Sequence, residues 1–306
     1  MNEIKIFSGR SQPELAEKVC KKLKISLSKP KIEEFKNCCF EPALGKNIKD
    51  NDIFLFQTSR PNNDLHKDIF ELLQMANAAK NSQAKKIIAV MPYVSYARSD
   101  KAYSRGMGVA SELLAKLLER SGITGFVGID FHSARFENFF SSKVYQLSAI
   151  NLLAESLKNT DPKNAFILPA DMGAFEKGSI LAKKLKMQIG AVEKRRVSDT
   201  EVEIKKITGD FINKDIIIFD DEISTGSTLK TLAEKIQKRA KSISFAVTHG
   251  LFVGNAVKNF QEIKKLKQII LTDTVPISEE LKKSLPLKIV SVDGLLTEKI
   301  KEICKN

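Results

Sequence analysis

Residues 216–236, IIIFDDEISTGSTLKTLAEKI, hold the pattern that decides the fold of this chain. Four apolar residues lead into two adjacent carboxylates, then small hydroxyl residues around one glycine, then a segment with helical period. A continuous apolar run is typical of a strand covered on both faces of a parallel sheet, which puts Asp220 and Asp221 at the carboxyl end of that strand. Open α/β sheets bind their ligands at this edge. The stretch therefore predicts a strand, a binding turn and a helix.

The turn STGST, residues 224–228, has the composition of a phosphate-binding loop. Its glycine permits a tight turn, its hydroxyls can cap the next helix, and the N–H groups at a helix N-terminus attract anions. The carboxylates of Asp220 and Asp221 can accept hydrogen bonds from vicinal hydroxyls or hold a metal ion. A diol beside a phosphate describes a pentose 5-phosphate. A purely structural explanation, in which the acids end a strand and the hydroxyls cap a helix, stays open from these residues alone.

Short apolar runs alternate with longer helical segments along the rest of the chain. The strand-like runs include DIFLF, KKIIAVMPY, FVGID, AFILP and SISFAVTHG. This alternation predicts an α/β protein with mainly parallel, buried strands. A chain of 306 residues suffices for about two domains, and the polar stretch SLKNTDPKN suggests a boundary. We predict domains at 1–149 and 150–306, with the last helix able to pack back on the first domain.

Composition excludes several classes of protein. The formal charge of +13 indicates a surface that attracts anions, yet no helix-turn-helix, RNA-binding signature or aromatic platform is present, so nucleic acid is not an expected partner. The cysteines show no metal-ligand or disulfide spacing and are interpreted as reduced thiols. No secretory leader and no apolar run of about 20 residues occurs, so we expect a soluble, cytoplasmic protein without a membrane partner.

The charged stretch at residues 193–210, EKRRVSDTEVEIKKITGD, fits neither a buried strand nor an amphipathic helix. It has too many charges for the first and no helical apolar stripe for the second. We expect an exposed hairpin or loop. Basic, mobile loops beside a binding site are candidate lids.

The stretch FDDEISTGST resembles the phosphoribosyl-pyrophosphate loop shared by type I phosphoribosyltransferases and ribose-phosphate pyrophosphokinases. A Walker B interpretation of IIIFDD fails because the chain has no G-x-x-x-x-G-K-[ST] loop. Six further motifs resemble the pyrophosphokinases in their order and spacing: IFLFQTSRPNNDLHKDIFELL, MPYVSYARSDKAYSRG, GIDFHS, LPADMGAFEKGSILAKKL, EKRRV and VTHGLF. The resemblance covers nearly the full chain.

This resemblance implies two tandem type I phosphoribosyltransferase-like domains, each with a mainly parallel central sheet and flanking helices. It implies that the N-terminal domain has lost the sugar-phosphate site. It also implies transfer of the diphosphoryl group of ATP, with Mg2+, to the 1-hydroxyl of ribose 5-phosphate, giving phosphoribosyl pyrophosphate and AMP. A homo-oligomer, dimer or hexamer, is expected because the family builds its nucleotide site across subunits.

The resemblance further implies roles for residues of the C-terminal half. Asp220 and Asp221 would bind the ribose hydroxyls. The 5-phosphate would be held by Ser224, Thr225, Gly226, Ser227 and Thr228. Lys194 and Arg196 match the catalytic pair, and positioned cations on a movable flap can stabilise the negative charge that spreads during diphosphoryl transfer. Asp171 matches a metal position on the ribose-phosphate side.

On the nucleotide side, His132 matches a position that binds Mg2+ together with ATP. Oxygen ligands suit Mg2+ better than imidazole does, so chemistry alone favours Asp171 over His132 as a metal ligand. The remaining nucleotide-binding residues implied by the resemblance are Arg98, Ser99, Asp100, Phe35 and Asn37.

The chain departs from the family pattern on this nucleotide side. Residues 35–39, FKNCC, stand where the family usually has F-[SP]-D-G-E, and Ser99 replaces the usual glutamine. Three explanations are open: another diphosphoryl donor, an adenine pocket rebuilt from other residues, or a catalytically weak or inactive regulatory paralogue. Retention of the catalytic flap and the sugar-phosphate loop favours an active enzyme. A phosphoribosyltransferase is a further alternative, but it would not explain YARSDK or IDFHS.

Overall fold

The computed structural model describes residues 3–61, 64–196 and 202–305, and the side chains of residues 194–196 and 202–203 lie outside this description. The chain divides into two compact units. Unit 1 contains Met1–Ser148, Thr274–Pro276 and Ser291–Asn306, and unit 2 contains Ala149–Asp273 and Ile277–Val290. Residues 274–276 and 291–306 therefore cluster with unit 1, whereas the sequence-based division put them in the second domain.

The first 148 residues of unit 1 form a parallel sheet with helices around it. The strands are β1 (Ile4–Ser8), β2 (Leu27–Ser28), β3 (Lys31–Glu34), β4 (Phe40–Ala43), β5 (Asp52–Phe56), β6 (Lys86–Val90), β7 (Gly125–Ile129) and β8 (Lys143–Leu147). Six of them pair in parallel in the order β2–β1–β5–β6–β7–β8, and β3 and β4 form a separate antiparallel hairpin. The helices are α1 (Pro13–Leu23), α2 (Leu65–Asn81), α3 (Ala110–Ser121) and a 3-10 helix at Ala134–Phe139.

Unit 2 repeats this plan. Its helices are α4 (Ile150–Leu157), α5 (Phe175–Leu185), α6 (Ser227–Ile236), α7 (Ala256–Gln261) and α8 (Glu279–Ser284). Its strands are β9 (Ala165–Pro169), β10 (Gln188–Ile189), β11 (Val192–Arg196), β12 (Val202–Ile207), β13 (Asp215–Ile223), β14 (Ser242–Gly250), β15 (Leu266–Thr272) and β16 (Leu287–Val290). The sheet order is β10–β9–β13–β14–β15–β16, all parallel, with β11 and β12 as a separate antiparallel hairpin.

The last helix, α9 (Asp293–Lys305), packs on α1 in unit 1. The ammonium of Lys22 lies 3.2 Å from Oδ1 of Asp293, and Leu296, Ile300 and Ile303 of α9 are buried. Helix α9 thus buries its apolar stripe against the N-terminal part of the chain.

The predicted α/β architecture, with two parallel central sheets and flanking helices, is confirmed. The apolar run at the start of β13 shows why this order of residues forms a central strand. Ile217 belongs to a core cluster with Leu153 of α4 and Leu181 of α5, whereas Ile218 belongs to a cluster with Leu232 of α6. Helices cover both faces of the strand, so both sets of alternating side chains must be apolar. In the part of the chain that the structure describes, no helix is long and apolar enough to cross a membrane.

Candidate active site

The acids that follow the apolar run lie where β13 extends beyond the end of one of its two neighbouring strands. Pairing of β13 with β9 ends at Phe219 opposite Pro169, whereas pairing with β14 continues to Ile223 opposite Gly250. Strand β13 is therefore longer than the sequence suggested, and Asp220 and Asp221 lie within it rather than after it. Both carboxylates stand beyond the carboxyl end of β9, at the ligand-binding edge of the sheet.

Three carboxylates gather at this edge of unit 2. Burial, together with the negative charges of Asp221 and Asp171, raises the pKa of Asp220 well above its usual range. Oδ1 of Asp220 accepts a hydrogen bond from the backbone N–H of Asp221 at 2.9 Å. Asp171, just after β9, accepts one from the N–H of Ala174 at 3.0 Å, which fixes its carboxylate before α5. The edge concentrates negative charge that ligand hydroxyls or a cation would relieve.

The donor set at this edge fits Mg2+ by its chemistry. Among the described residues, no group of three or more His, Cys, Asp or Glu side chains is arranged as a metal-binding cluster. Mg2+ does not need such a cluster, because it is usually held by one or two carboxylates together with substrate phosphates and water. Asp171 and Asp220, which lie close enough for their charges to interact, supply oxygen ligands of that kind.

The loop at residues 224–228 leads directly into α6, and its glycine has a conformational reason. Gly226 is the N-cap of α6 with φ of 70°, in the left-handed region. A Cβ built there would lie 2.7 Å from Cε2 of Phe260. Because side chains are strained at this φ and the ring leaves no space, glycine is required at this position.

The expectation that a hydroxyl side chain caps α6 is wrong. No side chain caps the first turn of this helix among the residues described, and α6 begins at Ser227. The hydroxyls of Thr225 and Ser227 instead lie 3.1 Å apart, within hydrogen-bond distance of each other. The first N–H groups of α6 therefore point out of the helix without a side-chain acceptor, which is the arrangement that binds a phosphate.

The loop after β14 supports the loop at residues 224–228, a contact that the sequence did not predict. The N–H of Val253 donates to the carbonyl oxygen of Ser224 at 3.1 Å, and the side-chain amide of Asn259 donates to that of Thr225 at 2.9 Å. The N–H of Leu251 donates to the carbonyl oxygen of Ile223 at 2.8 Å. The motif VTHGLF marked this region in the sequence, but nothing in it indicated contact with the loop.

The charged stretch forms the β11–β12 hairpin, in agreement with the expectation of an exposed hairpin or loop. Val192 pairs with Ile207 at its base, and a register shift falls between Glu193 and Lys194. Lys194 and Arg196 lie in β11. The directions of their side chains, and residues 197–201, lie outside the described residues.

Two of the predicted nucleotide-side segments meet in unit 1. Arg98, Ser99 and Asp100 follow β6, and His132 follows the neighbouring β7. The hydroxyl of Ser133 donates to Oδ2 of Asp100 at 2.7 Å, which joins the two loops at the carboxyl edge of the sheet. Arg98 and His132 are exposed, so both side chains are accessible to a polyphosphate or a metal ion.

Residues 35–39 form the tip of the β3–β4 hairpin. The N–H of Phe35 donates to the carbonyl oxygen of Cys39 at 2.8 Å, and the N–H of Cys38 donates to that of Phe35 at 2.9 Å. Oδ1 of Asn37 accepts from the N–H of Cys39 at 3.1 Å. Cys38 has φ of 67°, a left-handed conformation that favours the glycine of the F-[SP]-D-G-E pattern. The turn thus keeps a glycine-type backbone with a cysteine in that place.

Comparison with known proteins decides the family. A family model described as the N-terminal domain of ribose phosphate pyrophosphokinase matches residues 4–122, and one described as a phosphoribosyl transferase domain matches residues 142–282. A putative ribose-phosphate pyrophosphokinase of Streptomyces coelicolor is 34% identical over 304 residues, covering 99% of this chain and 95% of that protein. The chain belongs to the ribose-phosphate pyrophosphokinase family.

Further relatives extend the match over nearly the whole length. The ribose-phosphate pyrophosphokinase of Agrobacterium fabrum is 32% identical over 300 residues, covering 97% of this chain and 96% of that protein. A crystal structure of phosphoribosylpyrophosphate synthetase from Mycobacterium smegmatis superposes with a TM-score of 0.92 at 26% identity, covering 100% of both chains. The protein is thus an enzyme of the ribose-phosphate pyrophosphokinase family, a family of transferases that synthesise phosphoribosyl pyrophosphate. These matches along the whole chain favour this family over the alternative of a phosphoribosyltransferase.

Proposed function

We propose that this pyrophosphokinase transfers the β,γ-diphosphoryl group of ATP to the 1-hydroxyl of ribose 5-phosphate, giving phosphoribosyl pyrophosphate and AMP. The observation that carries the proposal is the edge of unit 2, where partly buried carboxylates stand beside a helix N-terminus whose N-cap is a glycine. Few ligands other than a sugar phosphate present a diol and a phosphate side by side. The family assignment supports the same product.

In this proposal, Asp220 and Asp221 accept hydrogen bonds from the ribose hydroxyls. Residues 224–228 bind the 5-phosphate through the outward N–H groups at the start of α6 and the paired hydroxyls of Thr225 and Ser227. The sugar is then fixed at two points. Fixing the acceptor in this way turns a bimolecular encounter into a reaction between held groups.

The transfer itself needs charge stabilisation more than covalent chemistry. The 1-hydroxyl oxygen attacks the β-phosphorus of ATP and its proton passes to solvent water, while the bond from that phosphorus to the α,β-bridging oxygen breaks and AMP leaves with the electron pair. Lys194 and Arg196, both in β11, are proposed to stabilise the charge that develops on the transferred group. A hairpin is suited to this role because it can close over bound substrates.

Mg2+ is the proposed cofactor, and when bound it would neutralise phosphate oxygens and polarise the phosphorus under attack. Asp171 is the proposed ligand on the ribose-phosphate side and His132 on the nucleotide side. On this side we further propose that Arg98, Ser99 and Asp100 contact the polyphosphate or the base. The family pattern adds Phe35 and Asn37, which would reach the adenine bound to a neighbouring subunit. We therefore propose a homo-oligomer, a dimer or hexamer. We also propose that the protein is cytoplasmic.

Calorimetry with ribose 5-phosphate tests the observation that carries this proposal. We expect binding of ribose 5-phosphate and, because both parts of the ligand are held, much weaker binding of ribose or inorganic phosphate alone. A Gly226→Asp variant places a carboxylate in the phosphate loop and is expected to abolish binding through charge repulsion and strain. Failure of the unaltered protein to bind ribose 5-phosphate would refute the proposal.

A regulatory paralogue is the second candidate, and the sequence FKNCC at residues 35–39 is the observation that favours it. Such a protein would bind ribose 5-phosphate yet form no product with any nucleoside triphosphate. A panel of ATP, GTP, CTP and UTP with Mg2+ separates the two candidates. Turnover with any one donor would refute the regulatory candidate and name the donor at the same time.

A further inference from the structure

Arg10 lies two residues beyond the end of β1 in unit 1 and is held by a buried carboxylate of α2. Its backbone N–H donates to Oε1 of Glu71 at 2.7 Å, and its Nε donates to Oε2 at 2.5 Å. The side chain of Glu71 is fully buried. Because a buried carboxylate is stable only when paired, this contact anchors the guanidinium firmly to α2.

The other side of the guanidinium faces the β3–β4 hairpin. Nη1 of Arg10 forms an ion pair with Glu34, and the guanidinium carbon lies 4.7 Å from the ring centroid of Phe40. Lys67 of α2 also binds Glu34 at 2.9 Å. Hydrogen bonds from Lys67 and Arg10 lower the pKa of Glu34 below its usual range, so the carboxylate stays ionised at neutral pH. Nη2 of Arg10 is buried without a hydrogen-bond partner among the described residues, which leaves the ring of Phe40 as its compensating contact.

Glu34 and Phe40 are the residues that close the loop at 35–39. Glu34 is the last residue of β3, Phe40 is the first of β4, and the two are paired across the hairpin. Arg10 therefore contacts both ends of this loop at once. Its planar fork fixes the direction of each contact, which a lysine ammonium would not do.

Helix α2 forms a comparable ion pair with Arg60, through Asp68, and the contacts described for Arg60 do not include the hairpin. Arg60 donates through its backbone N–H and its guanidinium to Asp68, with Nη2 at 2.8 Å from Oδ1 and the backbone N at 2.9 Å from Oδ2. The side chains of Arg60 and Arg10 are both 29% exposed, and Asp68, like Glu71, is buried. Arg60 thus reproduces the anchoring contact of Arg10 to α2 without its contacts to Glu34 and Phe40.

We propose that Arg10 is the positioning residue of the nucleotide loop. It holds both ends of residues 35–39 and so sets the pose in which Phe35 and Asn37 meet the nucleotide. The inference rests on the proposed function, which assigns these two residues to ATP. Arg10 itself touches neither substrate nor reacting atoms in this account.

Steady-state kinetics of Arg10→Lys tests the proposal, with Arg60→Lys as the matched control. For Arg10→Lys we expect KM for ATP to rise about tenfold and KM for ribose 5-phosphate to change less than about twofold, because only the nucleotide loop loses its fixed pose. For Arg60→Lys we expect a fall in Tm comparable to that of Arg10→Lys. We expect its KM for ATP to stay within about twofold of the value for the unaltered protein. A merely structural role of Arg10 would give both variants the same pattern.

Two further variants complete the design. Glu34→Gln keeps the shape of an exposed side chain and removes its charge, so it decides the question even if Arg10→Lys does not fold. We expect KM for ATP to rise about threefold, and no further rise when this change is added to Arg10→Lys, because both act through one contact. Phe35→Ala reports independently whether the loop contributes to ATP binding.

The outcomes separate this inference from the proposed function. If Phe35→Ala raises KM for ATP while Arg10→Lys and Glu34→Gln do not, the inference is overturned and the nucleotide role of the loop stands. If Phe35→Ala leaves KM for ATP unchanged, the loop does not bind ATP and that part of the proposed function fails together with the inference. An equal rise in Arg60→Lys would assign the effect to general loosening of unit 1 and would also overturn it.

Discussion

The two units share one strand order but differ at the edge where ligands bind. In unit 1, Ser8 pairs with Phe56 and the next N–H, of Gly9, donates to the carbonyl oxygen of Phe56 at 2.9 Å. In unit 2, Pro169 pairs with Phe219 and the N–H of Ala170 donates to that of Phe219 at 2.8 Å. The following positions therefore correspond, in the pairs Arg10 and Asp171, Gln57 and Asp220, Thr58 and Asp221.

Three carboxylates of unit 2 are thus replaced in unit 1 by a guanidinium, an amide and a hydroxyl. The amide of Gln57 is fully buried, accepts a hydrogen bond from the hydroxyl of Ser11 at 2.6 Å and donates to the carbonyl oxygen of Asp68 at 3.1 Å. A Cβ at Gly9 would lie 2.4 Å from Oε1 of Gln57. Unit 1 fills with its own side chains the edge that unit 2 leaves to a ligand. This filling gives a physical reason for a sheet of this type to have no sugar-phosphate site.

The two units also differ in the antiparallel hairpin that each one carries beside its parallel sheet. In each unit an antiparallel hairpin stands between the second and third strands of the parallel sheet along the chain, β3–β4 in unit 1 and β11–β12 in unit 2. The first is tied to its unit through Arg10, whereas the second carries Lys194 and Arg196. The two hairpins therefore occupy equivalent places in the two units, and the proposed function assigns nucleotide binding to the first and catalysis to the second.

The cysteines offer the largest expected effect, because all four lie in unit 1. Burial raises the pKa of Cys20 and of Cys304 to about 11, whereas Cys38 and Cys39 are exposed at the hairpin tip. At pH 8 about one in a thousand thiols with such a raised pKa is ionised, against roughly a quarter of free cysteine thiols, so we expect iodoacetamide to modify the exposed pair roughly 200-fold faster than the other two. Peptide mass spectrometry over a time course measures the rates.

The alkylation rate of the thiols with a raised pKa should also increase with pH. Below its raised pKa, the thiolate fraction of Cys304 grows with pH, so its rate should rise about tenfold for each pH unit between 8 and 10. In urea the difference between the four cysteines should disappear. Alkylation at residues 38 and 39 should leave ribose 5-phosphate binding in unit 2 within about twofold, and loss of that binding would break the separation of roles between the units.

Asp221→Asn tests the difference in charge at the sheet edge. Removing one carboxylate while keeping its shape is expected to weaken ribose 5-phosphate binding on the order of 100-fold, because hydrogen bonds to a charged acceptor are lost. The matched change in unit 1 is Thr58→Val, which removes a hydroxyl that donates to the carbonyl oxygen of Thr274 at 2.9 Å. We expect it to cost about 1 kcal/mol of unfolding free energy and to leave the affinity unchanged. Equal losses of affinity in calorimetry would contradict the proposed assignment.

Gly226→Ala and Gly45→Ala compare the loss of unfolding free energy at one glycine of each unit, and this effect is the smallest of those expected. Both glycines have positive φ, 70° at Gly226 and 79° at Gly45, but only Gly226 has a ring within reach of an added Cβ. Each variant should lose about 1 kcal/mol through its backbone, and Gly226→Ala about 1 kcal/mol more through Phe260. Urea denaturation measures both. Similar losses would show that the phenylalanine does not constrain the phosphate loop.

Much of the fold could be predicted from the sequence because buried parallel strands are continuous apolar runs. DIFLF is β5 and AFILP is β9, each wholly buried. The hairpin at residues 193–210 followed from its charges, which cannot enter a core. The last helix, predicted as able to pack back on the first domain, runs from Asp293 to Lys305, and its apolar residues pack on α1.

The features that escaped prediction depend on which residues meet through register and packing. The correspondence of Arg10 with Asp171 follows from the pairing of β1 with β5 and of β9 with β13, which no local pattern reports. The same holds for Asn259, which is distant in sequence from the loop it supports. The absence of a hydroxyl cap among the described residues at α6 arises because Gly226 occupies the capping position itself.

Product analysis tests the central claim most directly. The protein is incubated with ATP, ribose 5-phosphate and Mg2+, and AMP and phosphoribosyl pyrophosphate are quantified by 31P NMR. We expect the two products in equal amounts, and a rate lower on the order of 1000-fold in Lys194→Ala with ribose 5-phosphate binding retained. Absence of product with ATP from a protein that still binds ribose 5-phosphate, or an unchanged rate in the variant, would contradict the account.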